Sequence, residues 1–303
     1  MQADSRAYNA LCKKELAIPN LITYHELPMV DEAGKATFER WPMIVPADLA
    51  GGSVLQPWPF LNAEQARAIL QRGWRPLFGS ASDELWEIYS VEFGVPKPGP
   101  DAFPIQFFGD EVEIFDNHQW MCLNWSAETS PIHSDAKASR YLICVLPVAS
   151  YLFRYLGQKK VVNLTLQECL KIVVRSFNDL TAAGLAAVTC VKGDWKFLVQ
   201  ALSSKFSASS NEIRFKCCAT KSLLCPYTDV SPDAAWRTQL RRETVWYERP
   251  ALADLAHFSL RVITPDVLHT YHLGVGRDVA ASILTVLLKG QQFLPGSSAP
   301  RQR

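Results

Sequence analysis

No stretch of this sequence is apolar for long enough to cross a bilayer. The longest apolar run, Tyr141 to Phe153, is broken by Pro147 and falls short of the roughly 20 residues a membrane helix needs. The first residues, Met-Gln-Ala-Asp-Ser-Arg, lack the apolar segment of a secretory signal. No membrane partner is expected. An excess of charge is lacking too: 31 Lys and Arg face 30 Asp and Glu, a formal net charge of +1. Bulk charge therefore argues against a strongly basic nucleic-acid binder and leaves only local basic patches. Internal repeats are absent, which excludes solenoids. A disulfide framework is also missing. The eight cysteines (12, 122, 144, 169, 190, 217, 218 and 225) are scattered, and Cys122, Cys144, Cys169 and Cys190 sit inside apolar periodic segments. There a free cysteine behaves as a small core hydrophobe. The pattern suits a reduced, intracellular protein, nuclear if it binds DNA. No sequence feature specifies an oligomeric state.

What is present is enough apolar residue for a sizeable core. The 303 residues are 48% hydrophobic and 20% charged, which suits one large domain or two smaller ones. Residues 19–60 carry six prolines and Gly51-Gly52 and read as an extended arm with turns. Helices are expected over 63–72, after Asn62, and over 83–93, capped by Ser82 or Asp83 with Leu85, Trp86 and Tyr89 on one face. Pro96-Lys97-Pro98-Gly99-Pro100 marks a boundary by composition. The expected division is an N-terminal arm and small helical region (1–100), a core (101–203), a Cys-bearing segment with a helical insertion (204–290) and a disordered tail (291–303).

After the boundary come strands at 103–110, 118–126 and 139–149, joined by polar turns that imply antiparallel neighbours. Apolar residues at helical spacing from 166 to 185 predict a helix over 164–185, capped by Asn163 or Thr165. A strand over 187–193 and a helix over 195–203 follow. Further on, Ser231-Pro232-Asp233 leads into a helix to about Glu243, and Pro265, capped by Thr264, opens a long one. The β-β-β-α-β-α order is that of a ribonuclease H-like α/β fold, with a mixed sheet. A right-handed crossover through the 164–185 helix would lay the fourth strand parallel to the first.

Both of those strands end in Gly-Asp: Gly109-Asp110 and Gly193-Asp194. Side by side, two such carboxylates need a counter-ion or a proton, and Mg²⁺ (or Mn²⁺) supplies the first, as in phosphoryl-transfer sites. Asp is also common in ordinary strand-end turns, so each taken alone reads as structural.

Four motifs carry a resemblance: Phe107-Phe108-Gly109-Asp110-Glu111, Gly193-Asp194-Trp195-Lys196-Phe197, Phe215 to Lys221 with Cys217-Cys218, and Ile263-Thr264-Pro265-Asp266-Val267-Leu268-His269 continuing through His272 to Asp278. On these, residues from about 103 to 288 resemble the catalytic core of eukaryotic cut-and-paste DNA transposases of the Plavaka and KDZ type. They resemble still more an uncharacterised, transposase-derived family of protist genomes. The resemblance implies that Asp110 and Asp194 match the first and second catalytic aspartates and hold Mg²⁺, that the partner is DNA, and that the origin is a mobile element. Asp266 and His269 would match a motif of the insertion, one helix face carrying both, with a structural role in tying the insertion to the core.

Two departures stand against an intact enzyme. Arg214 occupies the first position of a Cys-x-x-Cys, and adjacent Cys217 and Cys218 do not suit one tetrahedral zinc, so no complete zinc site with Cys225 is expected. His257 has no supporting spacing. No downstream Glu can be assigned as the third carboxylate. The expectation is a degenerate domain, truncated before that residue, inactive or weakly active. The alternative is a non-catalytic interaction or scaffold protein that retains only the fold. Arg237, Arg241 and Arg242 read as a solvated helix face. Gly274-x-Gly276 lacks the strand-turn-helix context of a dinucleotide loop.

Overall fold

The computed structural model describes residues 22–47, 79, 81–114, 118–129, 140–206, 211–212, 216–229, 231–238, 245–265, 281 and 283–285. Two compact units divide the chain, residues 1–264 and 265–303. In the second, Ala281 and Ile283 to Thr285 are helical. The elements that follow belong to the first, save for the last residue of its final strand.

A five-stranded mixed sheet forms its centre. Its strands are β3 (Phe103–Ile114), β4 (His118–Ala127), β5 (Tyr141–Pro147), β8 (Ala186–Gly193) and β9 (Ile263–Pro265), in the spatial order β5-β4-β3-β8-β9. β3 pairs antiparallel with β4, and β4 with β5. β3 pairs parallel with β8. The adjacency of the first and fourth core strands expected from the element order is therefore present.

The register follows from period-two burial. Ile105 and Phe107 of β3 and Met121, Leu123 and Trp125 of β4 are fully buried, and Phe107 lies opposite Trp125. These residues share one face, as alternation requires. That face is covered by α2 (Leu164–Ala182), whose Leu166, Leu170, Val173, Phe177 and Leu180 are buried at helical spacing. Phe107 makes edge-on contacts with Phe177 of α2 and with Phe197 of α3 (Trp195–Ala201), at 5.7 and 6.3 Å between ring centroids. One irregularity interrupts the β3–β8 ladder: Ile105 pairs with Val188 and Gln106 with Cys190. Thr189 is the extra residue of this bulge, and its hydroxyl donates to the Ile105 carbonyl at 3.2 Å.

Local chemistry sets the helix ends. Asn163, not Thr165, caps α2: its Oδ1 accepts from the Leu166 amide at 3.0 Å. Thr165 instead donates to the Pro28 carbonyl at 2.5 Å and accepts from the Leu152 amide at 2.9 Å. Gly184, with a φ of 72°, ends the helix in the left-handed conformation.

Three elements differ from the sequence reading. The proline-rich arm contains a hairpin, β1 (Thr23–Val30) and β2 (Ala36–Met43). Asp31 Oδ1 accepts from the Ala33 and Lys35 amides at 3.0 and 2.8 Å and closes its turn. Leu27, Met29 and Met43 bury one face, and the Trp41 indole donates to Val145 of the main sheet at 2.9 Å. Pro28 and Pro42 are tolerated because each strand of a two-stranded sheet has an unpaired edge. A second hairpin, β6 (Phe153–Leu156) and β7 (Lys159–Asn163), precedes α2. Pro265 closes β9 instead of opening a helix, because Ile263 is fully buried beside β8; the expected helix beyond it falls largely outside the described residues, as does that at 63–72.

Before β3, α1 (Asp83–Ile88) is capped by Ser82, as expected, and continues through one wider turn, Tyr89–Phe93. Trp86, Tyr89 and Val95 share the buried core with Phe103 and Trp125, so residues on both sides of Pro96–Pro100 pack together.

Tyr141 lies against Trp125 at 4.7 Å between ring centroids, and burial holds its hydroxyl up to about 12. A folded value above the unfolded one, about 10, means stability that is full below pH 10 and is lost as pH rises through about 12. Chemical denaturation at pH 9, 10.5 and 11.5 is expected to show falling stability, and Tyr141→Phe to flatten the decline.

Candidate functional site

The parallel pairing of β3 with β8 sets Gly109 directly opposite Gly193. The residues that follow are Asp110 and Asp194. Both glycines are buried, and a Cβ added to either would overlap the ring of Phe197. The glycines are therefore required by packing: the pair forms the floor on which α3 rests its first buried aromatic. Because Gly109 faces α3, alternation turns Asp110 to the opposite side of the sheet.

Asp110 is not at a strand end. β3 continues to Ile114, and Asp110 pairs with Cys122 of β4. The expected turn beginning at Glu111 is strand because Val112 and Ile114 continue the pairing, opposite Trp120 and His118. Asp110 is half-buried. Burial and, secondly, the Asp110 charge push the Cys122 thiol up. On the same side of the sheet, Lys192 Nζ donates to Gln106 Oε1 at 2.8 Å. The Phe108 ring lies 5.1 Å from the Arg140 guanidinium and 5.7 Å from the Lys192 ammonium. Asp110 thus belongs to a partly open face that carries an aromatic ring and two cations.

Asp194 is the first residue after β8 and the N-cap of α3. Its Oδ1 accepts from the Phe197 amide at 2.6 Å. This one bond satisfies an otherwise orphaned donor and places negative charge at the helix N-terminus. A carboxylate has about four acceptor positions on two oxygens, so capping leaves Asp194 with capacity for a further partner.

A residue that sequence reasoning passed over completes this corner. Glu111 returns to the α3 side of the sheet, and its side chain is only 6% exposed. Lys196 Nζ pairs with it at 2.5 Å, and Gln200 Nε2 donates to it at 3.2 Å. Gln200 in turn accepts from Asn163, the cap of α2, at 2.7 Å. Burial, then the Glu111 charge, raises the hydroxyl of Tyr151 far above its ordinary value. The signal was present: Phe107, Gly109 and Glu111 share one period-two face, and Lys196 stands two residues after Asp194.

The remaining expected residues separate. Asp266 and His269 lie outside the described residues, as do Arg241 and Arg242. Arg237 lies over the Trp236 ring at 4.7 Å and donates to the Ser231 carbonyl at 3.0 Å. His257 occupies an exposed turn with a φ of 62°. Cys217 and Cys225 are buried, and the sulfurs of Cys218 and Cys225 lie 2.8 Å apart. Among the described residues, no group of three or more His, Cys, Asp or Glu is arranged to hold a metal ion; none of their helices is long and apolar enough to cross a membrane.

No protein-family model, curated protein or solved structure matches the chain.

Two substitution sets test the packing and the cap. Gly109→Ala is expected to lower stability by about 1–3 kcal/mol through overpacking. In a double-mutant cycle with Phe197→Ala the two losses should not add, because removing the ring makes room for the methyl group; additive losses would mean that the ring is not what excludes a side chain. Asp194→Ala is expected to lose about 1 kcal/mol of stability, while Asp194→Asn, which keeps a capping oxygen, stays close to wild type. Urea denaturation of each variant reads both.

Proposed function

We propose that the chain is a transposase-derived domain with a ribonuclease H-like core, now catalytically weak or silent. Its ancestral chemistry would be divalent-metal-dependent cleavage and joining of DNA strands. One observation supports this reading above the others: the central strand of the sheet runs parallel to the strand that follows the long helix, with the two Gly-Asp pairs in register. Three antiparallel strands, a helical crossover and a fourth strand returning beside the first form the order on which that fold is built.

The residues fit a metal only in part. Asp110 and Asp194 offer hard oxygen donors, which suit Mg²⁺, an ion that keeps several waters and needs only one or two protein carboxylates. Asp194 retains an oxygen beyond its cap. A bound ion would neutralise the two carboxylates and activate water or a 3′-hydroxyl for attack on a phosphate. The chain's own contribution beside them is Arg140 and Lys192 around Phe108, on the Asp110 side of the sheet. Cations flanking an aromatic ring favour a nucleic-acid strand, whose phosphates meet the charges and whose bases can stack. A third carboxylate aligned with Asp110 and Asp194 is not assigned, and a pair without it binds an ion weakly and positions a second ion poorly.

The alternative, a non-catalytic interaction or scaffold protein retaining the fold, gains support from two facts. The Asp194 carboxylate already caps α3, and the Phe197 ring accounts for both glycines.

Manganese titration followed by water-proton relaxation separates the two readings. Millimolar Mn²⁺ binding is expected for the wild type and its loss for the Asp110→Asn/Asp194→Asn double variant, with DNA nicking near background. Equal binding by wild type and the double variant would remove the metal site and leave the scaffold reading.

A further inference from the structure

Residues 217–229 form a loop that the candidate site does not use, and its backbone is fixed at several points. The Thr220 amide donates to the Cys225 carbonyl at 2.8 Å, and the Tyr227 amide to the Thr220 carbonyl at 2.9 Å. Thr220 also forms bridges with Glu212 and Pro226. Burial alternates along its first strand-like stretch. Cys217 and Ala219 are buried, while Cys218 and Thr220 are half-exposed. Cys218 is thereby turned to the side from which a reagent can reach it. Beyond the Thr220 hydrogen bonds the chain turns back, and Cys225 Sγ comes within 2.8 Å of Cys218 Sγ. The covalent S–S distance is about 2.05 Å, so less than about 1 Å of approach closes the bond. At the tip, between the two cysteines, Leu223 and Leu224 are 96% and 93% exposed.

We propose that Cys218 and Cys225 are a redox pair that closes to a disulfide and clamps the base of the loop presenting Leu223 and Leu224. The oxidant is a small-molecule disulfide, RSSR. The Cys218 thiolate attacks one of its sulfurs, forming a mixed disulfide and releasing RS⁻. The Cys225 thiolate then attacks the Cys218 sulfur, forms the Cys218–Cys225 bond and releases the second RS⁻. Two electrons pass from the pair of thiols to RSSR, and the two thiol protons end on the two RSH molecules. The order of attack follows from exposure, since Cys218 is half-exposed and Cys225 is buried. Contact with Cys218 and, secondly, burial hold the Cys225 thiol up to about 11. A bond at this partly exposed position is of the labile, reversible kind. The proposal involves neither Asp110 nor Asp194 and stands apart from the metal reading.

The sequence offers a direct test. Trypsin cleaves after Lys216, Lys221 and Arg237, so one cut falls inside the loop between the two cysteines. The full chain is incubated with oxidised glutathione at neutral pH, its remaining thiols are alkylated, and it is unfolded, digested and weighed by mass spectrometry. Peptides Cys217–Lys221 and Ser222–Arg237 are expected as one linked species, with two hydrogens fewer than their sum and one alkyl group, on Cys217, that separates on treatment with dithiothreitol. Cys217→Ser should keep the link; Cys218→Ser and Cys225→Ser should each lose it. Separate, fully alkylated peptides from the wild type would overturn the proposal. So would a link that persists in Cys218→Ser, since Cys217 would then be the partner. One tightly held zinc per chain, released on Cys217→Ser, would also overturn it, because the sulfurs would be metal ligands.

Discussion

The seating of one aromatic ring on two glycines determines most of what this structure does. Phe197 can pack against the sheet here only because Gly109 and Gly193 are neighbours and neither carries a side chain. That contact fixes the start of α3, and with it the Asp194 cap, the Lys196–Glu111 pair and the link through Gln200 to the cap of α2. Once the glycines face the helix, alternation sends Asp110 to the other side of the sheet. The floor and the carboxylates are thus one arrangement: a residue type chosen for packing sets where the charged groups stand.

The two sides of the sheet differ accordingly. Under α2 and α3 the buried Glu111 has a cation and an amide for partners, as an enclosed carboxylate requires. The side that carries Phe108, Asp110 and Lys192 is half-exposed, and there Lys192 lies over the Phe108 ring and donates to Gln106.

The core strands and their order were legible because they follow simple periodicities. Phe103, Ile105 and Phe107 alternate, the apolar residues of α2 recur at helical spacing, and a β-branched run ending in Gly-Asp announces β8. What escaped notice has physical causes. Pro28 and Pro42 read as breakers, yet an edge strand has unpaired positions for them. The β6–β7 hairpin is mostly exposed, so Arg154 and Tyr155 carry no hydrophobic pattern. Glu111 and Glu113 look like a polar turn because their neighbours Val112 and Ile114 are few. The candidate site was legible as two Gly-Asp pairs. That one of its carboxylates caps a helix, and that Glu111 is the enclosed one, depend on which way each side chain faces, and this is decided by Phe197 from the next element of the chain.

The bulge at Thr189 works as a vernier between two strands. Counted on from the pairing of Ile105 with Val188 without it, Gly109 would meet Lys192, and Gly193 would fall beside Asp110. The ring would then stand over one glycine and a lysine, and the two aspartates would be out of step by one residue. Holding one threonine out of the ladder, with its own hydroxyl bonded to the neighbouring strand, keeps two distant Gly-Asp pairs in phase. In this fold, then, alignment depends on residue count as well as residue kind: β8 spends five steps from Val188 to Gly193 where β3 spends four from Ile105 to Gly109, and the pairs meet because one of those residues stands outside the ladder.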